Sequence, residues 1–151
     1  MLGEGDRLPA VTLLDDQGNT VKTRDLLGTP LVLYFYPKDD TPGCTTEASE
    51  FRDLYKQFQK MKVRIVGVSR DTPESHRKFK EKYSIPFELL SDTESKLCDA
   101  FGVIVEKNMY GKKSMGVQRA TFLIDDKGTI VKAWPKVKVD GHVEEVLSSL
   151  S

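Results

Sequence analysis

The sequence contains very little cysteine, with only Cys44 and Cys98 among its 151 residues. Two cysteines are too few for the disulfide framework that holds many small secreted proteins together. The first six residues carry neither a basic region nor an apolar run, so no signal peptide is expected there. Together these absences predict a protein of the reducing cytoplasm.

An excess of charge of one sign is also missing, and so are long apolar runs. Lysine plus arginine and aspartate plus glutamate number 23 each, so the formal net charge is zero. This balance argues against broad electrostatic binding to nucleic acid or to acidic membranes. No apolar stretch approaches the roughly 20 residues that cross a bilayer. Neither nucleic acid nor a membrane is therefore an expected partner.

Histidine is equally scarce, since the chain has only His76 and His142. The two lie far from each other and from both cysteines in sequence, without the ligand spacing that is typical of a metal site. His76 falls in a charged helical segment and is expected to face solvent. No metal and no other cofactor is predicted.

Short β-branched runs alternate with amphipathic helical patterns, and no linker, repeat or low-complexity tract divides the chain. This order predicts a single α/β domain over residues 1–151. The run 31–36 is almost wholly apolar, as expected for a central strand covered on both faces. Residues 106–118 are polar, contain two glycines and predict a loop. The other predicted elements are a hairpin (11–22), a helix (43–61), a strand (63–69), a helix (73–83), a strand (87–90), a short helix (96–101), a hairpin (119–134) and a final helix (143–150).

Cys44 follows the apolar strand closely and directly precedes the first long amphipathic helix. The unpaired N–H groups and the dipole at a helix N-terminus favour negative charge, so a thiol there can ionise near neutral pH. A thiolate is a nucleophile that attacks the weak O–O bond of a peroxide readily. The position of Cys44 therefore suits peroxide chemistry.

The residues around Cys44 are of the types that such a reaction needs. Pro37 and Pro42 stiffen the loop and shield the sulfur, while Gly43 lets backbone approach closely. Thr41 offers a hydroxyl that can accept from a peroxide or donate to a thiolate. Arg119, which leads a predicted strand, is the candidate for a nearby positive charge. Taken singly, these residues are also common as loop punctuation, a helix cap and a surface charge.

The combination is more specific than its parts. The run Pro37-x-x-x-Thr41-x-x-Cys44 resembles the active-site signature of the peroxiredoxins. Residues 34–48 resemble the bacterioferritin comigratory protein (peroxiredoxin Q) subfamily, and so do residues 90–92, 101–103 and 119–125. The resemblance covers nearly the whole chain. It implies a thioredoxin-like α/β fold with an N-terminal β-hairpin extension, in which a mixed central sheet is flanked by helices.

The resemblance also implies a reaction, the reduction of peroxides by a cysteine. Cys44 matches the peroxidatic cysteine, which passes through a sulfenic acid, and Pro37, Thr41 and Arg119 match the other active-site positions. The backbone near Gly43 is expected to shape the pocket. The implied substrates are hydrogen peroxide and alkyl hydroperoxides, with electrons from an external thiol or a thioredoxin-type reductant. The subfamily favours a monomer, with a dimer as the alternative.

One departure from the subfamily affects the predicted cycle. Many members carry a resolving cysteine five residues after the first, whereas this chain has Ser49, whose hydroxyl cannot form a disulfide. Cys98 shares an apolar stripe with Leu97 and Phe101, which favours a buried structural role. We therefore expect a one-cysteine cycle, in which an external thiol attacks the sulfenic acid. Resolution by Cys98 after local unwinding is the alternative.

Two further classes of protein share this fold. A thioredoxin-type disulfide oxidoreductase would need a Cys-x-x-Cys pair, but Thr45, Thr46 and Glu47 follow Cys44. A non-enzymatic binding or holdase module would leave Cys44 incidental. Glu47 suits the dipole of the first helical turn but would oppose a nearby thiolate, so the sequence leaves its role open.

Overall fold

The structure is a computed structural model that describes residues 1–150, apart from the side chain of Met109. Its strands fall into a large sheet and a separate two-stranded hairpin. In chain order they are β1 (Thr12–Asp15), β2 (Thr20–Lys22), β3 (Leu31–Phe35), β4 (Arg64–Ser69), β5 (Glu88–Ser91), β6 (Ile104–Met109), β7 (Lys112–Val117), β8 (Ala120–Ile124) and β9 (Ile130–Trp134).

The large sheet is mixed and has the strand order β2-β1-β5-β4-β3-β8-β9. β3, β4 and β5 run parallel at its centre, whereas β1 and β8 join them antiparallel. β3 is buried along its whole length, as its apolar sequence predicts. The first two strands form the predicted hairpin, which adds to the sheet through β5.

The helices cover both faces of this sheet. Residues 1–150 contain no helix that combines the length and the apolar character needed to cross a bilayer. The helices are α1 (Pro42–Asp53), α2 (Tyr55–Lys60), α3 (Pro73–Tyr83), α4 (Lys96–Phe101) and α5 (His142–Ser148), with a short 3₁₀ turn at Thr23–Leu26.

The central sheet divides the core into two halves. Side chains alternate along β3, so that Leu33 and Phe35 face one half while Val32 and Tyr34 face the other. α4 packs in the half with Phe35, together with the 3₁₀ turn. α1, α2, α3 and α5 pack in the half with Tyr34. Residues on helices of opposite halves are therefore separated by the thickness of the sheet.

The loop predicted over residues 106–118 is wrong, because β6 and β7 form a hairpin there. Tyr110 and Gly111 make its two-residue turn with φ angles of 53° and 78°, the pair of positive angles found in a type I′ turn. Most of β7 is exposed, so the polar composition that predicted a loop is that of a hairpin with little buried surface.

The long helix predicted from residue 43 to 61 is interrupted. Leu54 has φ −99° and ψ 5°, which ends α1 and starts α2. The start of α3 follows the prediction: the Thr72 side chain accepts a hydrogen bond from the Ser75 N–H, and Pro73 occupies the first turn.

Candidate active site

Cys44 lies in the first turn of α1, just beyond the carboxyl end of β3, and only 2% of it is exposed. Thr41 is the N-cap, and the first hydrogen bond of the helix runs from the Thr45 N–H to the Thr41 carbonyl. The amides of Gly43 and Cys44 therefore precede the helical hydrogen-bond ladder. Such amides, together with the helix dipole, favour an anion at this position.

Sheet pairing brings Arg119 to this sulfur. Phe35, at the end of β3, pairs with Ala120, at the start of the antiparallel β8, so the preceding residue lies beside the loop that follows β3. The Arg119 Nη2 donates a hydrogen bond to Cys44 Sγ at 3.3 Å. The predicted positive charge is thus in place, although Cys44 also packs among apolar residues of the core.

Glu47 is a member of the site that sequence reasoning did not assign. It is fully buried one turn after Cys44, and its Oε1 accepts a hydrogen bond from Arg119 Nη1 at 2.8 Å. Burial raises the pKa of Glu47 to about 7, although the charge of Arg119 lowers it. The i to i+3 spacing from Cys44 is the local signal, because it places both side chains on one helical face.

Gly43 allows the guanidinium to approach the helix. A Cβ on this residue would lie 3.1 Å from Arg119 Nη2, closer than an ordinary contact. Thr41 Oγ1 donates to the Lys38 carbonyl at 2.8 Å, which leaves its oxygen free to accept a hydrogen bond from a substrate. Pro37 is half-buried directly after Tyr36, in the same loop. Within the described residues, no hydrogen bond joins Thr41 to the sulfur.

Cys98 lies in the other half of the core. It is fully buried on α4, packs in the half with Phe35, and its N–H donates to Asp92 Oδ2 at 2.7 Å. Burial and the charge of Asp92 raise its pKa well above the ordinary value of a thiol. Cys44 packs in the half with Tyr34, so the central sheet lies between the two sulfurs.

The expectation that His76 faces solvent is wrong. His76 is fully buried, with Nδ1 2.7 Å from Asp39 Oδ2 and Nε2 3.0 Å from the Leu90 carbonyl. A carbonyl only accepts, so Nε2 carries a hydrogen and donates it to Leu90. The signal in the sequence is Phe79, three residues on, which places His76 on the apolar face of α3.

This pair anchors the loop that leads to Cys44. Asp39 Oδ1 accepts from the Tyr36 hydroxyl at 2.6 Å, and the Asp39 N–H donates to Asp71 Oδ2 at 2.8 Å. Ligand atoms of Asp39, Asp71 and His76 lie within 4.8 Å of one another, a spacing that a metal ion would also accept. Hydrogen bonds already engage these atoms, including one from Ser69 Oγ to Asp71. The cluster therefore acts as a hydrogen-bonded brace for the loop.

Comparison with known proteins identifies the family of this chain and its fold. A family model described as the AhpC/TSA family matches residues 5–133. Peroxiredoxin Bcp of Bacillus subtilis is 52% identical over 146 residues, covering 97% of this chain and 93% of the relative. Peroxiredoxin Bcp of Xanthomonas campestris is 50% identical over 147 residues, covering 95% of this chain and 92% of the relative.

Solved structures of the same subfamily also resemble this chain. A cysteine-to-serine variant of PrxQ from Xylella fastidiosa has a TM-score of 0.93 and 44% identity, covering 99% of this chain and 96% of that one. The bacterioferritin comigratory protein of Xanthomonas campestris, described with its alkyl peroxide reduction activity, has a TM-score of 0.89 and 45% identity, covering 96% and 97%. These matches confirm the predicted thioredoxin-like fold.

Proposed function

Because the chain belongs to the AhpC/TSA family, as a peroxiredoxin of the bacterioferritin comigratory protein (peroxiredoxin Q) subfamily, we propose that its thiol peroxidase activity resides at Cys44. The observation that carries this proposal is the 3.3 Å hydrogen bond from Arg119 Nη2 to Cys44 Sγ. A guanidinium stays charged at any physiological pH. It therefore stabilises a thiolate and then the charge that develops on a departing oxygen.

The peroxide step uses one sulfur and one peroxide. The Cys44 thiolate attacks a peroxide oxygen, the S–O bond forms and the O–O bond breaks. Cys44 becomes a sulfenic acid, and the other oxygen leaves as hydroxide or alkoxide and takes up a proton to give water or an alcohol. Thr41 accepts a hydrogen bond from the peroxide, since its own hydrogen points to the Lys38 carbonyl. Pro37 and Gly43 shape the pocket around these groups.

Hydrogen peroxide and alkyl hydroperoxides are the proposed substrates. Support comes from the Xanthomonas campestris relative, which is described with an alkyl peroxide reduction activity. Cys44 is only 2% exposed where Arg119 meets it, which favours a peroxide whose reacting end is narrow.

The cycle that we propose uses Cys44 alone, and an external thiol completes it. Ser49 cannot resolve the sulfenic acid, and the central sheet separates Cys44 from Cys98. A disulfide needs Cα atoms within about 7 Å, so bonding these two sulfurs would require part of the sheet or of its flanking helices to open. Cys98 also has a raised pKa, and the neutral thiol is a poor attacking group.

Intact-mass analysis after one equivalent of peroxide tests this cycle. Wild type and Cys98→Ala should each gain one oxygen, located at Cys44 by trapping with a sulfenic-acid reagent, while Cys44→Ser should gain none and consume no peroxide. A Cys44–Cys98 disulfide in most wild-type molecules would overturn the one-cysteine cycle. Absence of peroxide consumption by wild type, with Cys44→Ser indistinguishable from it, would instead favour a binding or holdase module.

Excess peroxide should oxidise Cys44 beyond the sulfenic acid. Because no internal thiol traps the sulfenic acid, we expect a sulfinic acid at Cys44, seen as a gain of two oxygens in the same mass assay. Cys98 should stay reduced in these samples, since it is fully buried. Persistence of the sulfenic form alone across the whole titration would contradict this expectation.

We also propose that residues 1–151 form one domain. β3 contributes side chains to both halves of the core, which supports a single folding unit. A monomer in the cytoplasm stays a prediction from the sequence, and light scattering of the purified protein measures the first part of it.

A further inference from the structure

The β6–β7 hairpin, which the sequence did not predict, places a lysine beside the strand that leads into Arg119. The Gln118 N–H donates to the Val103 carbonyl at 2.7 Å, so the hairpin closes one residue before Arg119. Lys107 is half-buried on this hairpin. A Cβ on Gly116 would lie 3.1 Å from Lys107 Cδ, which shows that the lysine stem lies against the glycine. Glycine therefore leaves space for Lys107 to lie along the hairpin.

The Lys107 side chain lies at Gly116, three residues before Arg119 in the chain. Burial, followed by the positive charge of Arg119, lowers the pKa of Lys107, and Cys44 acts in the opposite direction. Arg70 adds another positive charge at the same place. Its Nη2 donates to the Met115 carbonyl of β7 at 3.3 Å, which holds the guanidinium against the hairpin. Arg70 and Lys107 thus lie against neighbouring residues of β7, and the same segment continues through Gln118 to Arg119, which donates to Cys44 Sγ.

Nearby acids do not balance this charge. Across residues 1–150, no carboxylate forms an ion pair within 4.0 Å of the Lys107 amine or the Arg70 guanidinium. Glu47 pairs with Arg119, but its pKa of about 7 leaves it only partly ionised at neutral pH. A chain with zero formal net charge therefore keeps a local surplus of positive charge beside its reactive sulfur.

We propose that Lys107 and Arg70 form an anion-binding subsite for the reductant, and that the reductant is a small thiol bearing a carboxylate. This inference rests on the one-cysteine cycle proposed above. The carboxylate pairs with the two cations, and the thiol of the same molecule is held close to Cys44.

The redox state of Cys44 explains why the anion is the reductant and not the peroxide. In the reduced enzyme the thiolate itself neutralises part of the positive charge and repels an anionic substrate. Oxidation to the sulfenic acid removes that negative charge. The cations around the sulfur are then less compensated, so the subsite attracts an anion most strongly at the stage when a thiol is required.

Two molecules of the reductant complete the proposed reduction of Cys44. The reductant thiolate attacks the sulfur of the sulfenic acid, an S–S bond forms, the S–O bond breaks, and the oxygen leaves as hydroxide that is protonated to water. A second reductant thiolate then attacks the mixed disulfide at the reductant's sulfur. Cys44 leaves as a thiolate, and the two reductant molecules are oxidised to their own disulfide.

A single-turnover experiment tests the subsite. The protein is oxidised to the Cys44 sulfenic acid with one equivalent of hydrogen peroxide and mixed with mercaptopropionate, mercaptoethanol or cysteamine at equal thiolate concentrations. Mixed-disulfide formation is followed by quenched intact-mass analysis. The more basic thiolate is also the better nucleophile, so the informative quantity is the salt dependence. We expect the rate of the anionic thiol relative to the cationic one to fall about tenfold as salt is added.

Substitutions test whether Lys107 is responsible for the salt-dependent reaction of the anionic thiol. Lys107→Met should slow the anionic thiol about fivefold and change the rate of the neutral thiol less than about twofold, and Lys107→Arg should restore the rate. Lys113→Met is the matched control, since this exposed lysine pairs with Glu106 on the other face of the hairpin. It should react like wild type with every thiol.

A ratio of anionic to cationic rates that does not change with salt would overturn the inference, and so would the same small change in Lys107→Met and Lys113→Met. These results are distinct from a failure of the proposed function. If no sulfenic acid forms at Cys44 before any thiol is added, the one-cysteine cycle itself is wrong.

Discussion

Replacing Glu47 with glutamine removes a carboxyl group that is buried against Arg119, and the effect on stability should depend on pH. Burial raises the pKa of Glu47 from 4.5 to about 7. At about 1.4 kcal/mol for each pH unit, this corresponds to roughly 3 kcal/mol of preference for the neutral carboxyl in the folded protein. Glutamine keeps an oxygen that accepts from Arg119 but never ionises.

The direction of this pH dependence follows from the number of protons that the folded and the unfolded chain bind. Below pH 4.5 the carboxyl is protonated in both the folded and the unfolded chain, so it makes no pH-dependent contribution. Between pH 4.5 and about 7 the unfolded chain loses the proton first, so wild type loses stability as the pH rises. The Glu47→Gln variant lacks this loss. Its unfolding free energy relative to wild type should therefore rise by about 3 kcal/mol between acid and mildly alkaline pH.

Urea unfolding of both proteins at a series of pH values measures this difference, and equal m-values would show that the same transition is compared. Other titrating groups are present in both proteins and cancel. A constant offset is expected as well, because Glu47 Oε2 has no hydrogen-bond partner and the amide NH₂ that replaces it would be buried there. Glu81→Gln, at an exposed position of α3, should show no such trend. A difference that stays flat with pH, or that falls, would refute the burial argument.

Three further substitutions probe other parts of the molecule. Burial lowers the pKa of His142 from 6.5 to about 4. Wild type should therefore lose up to about 3 kcal/mol of unfolding free energy as the pH falls from 6.5 towards 4, and His142→Gln should lose less. Parallel pH profiles of the two proteins in urea unfolding would contradict this. His76→Ala removes the ring that pairs with the buried Asp39 carboxylate and leaves it only the Tyr36 and Ser75 hydroxyls, so it should cost about 3–5 kcal/mol of unfolding free energy. A loss below about 1 kcal/mol would count against the brace. Gly43→Ala places a methyl group against Arg119 Nη2, so the rate of peroxide reduction should fall about tenfold while the melting temperature stays unchanged. Full activity of this variant would show that Arg119 does not need to approach the helix at Gly43.

Several elements could be predicted because their signals are local. The wholly apolar run of β3 predicts a buried central strand, and the Thr72–Pro73 pair predicts the start of α3. The β6–β7 hairpin was missed because its strands bury little surface and its turn contains Tyr110, a residue that rarely adopts a positive φ. His76 was misplaced because the charged neighbours on α3 outweighed the single apolar residue three positions on.

By itself, the sequence determined which reactive groups are present near the helix N-terminus. They are Cys44, with Thr41 and Pro37 in the loop before it, and a serine at the position where a resolving cysteine would lie. Tertiary structure alone decided which groups meet that sulfur. The contact of Arg119 with Cys44 spans 75 residues, and it exists because β8 pairs antiparallel with β3. The burial of Glu47 and the separation of Cys98 by the sheet likewise depend on which layer each helix joins, and no local pattern of residues specifies that.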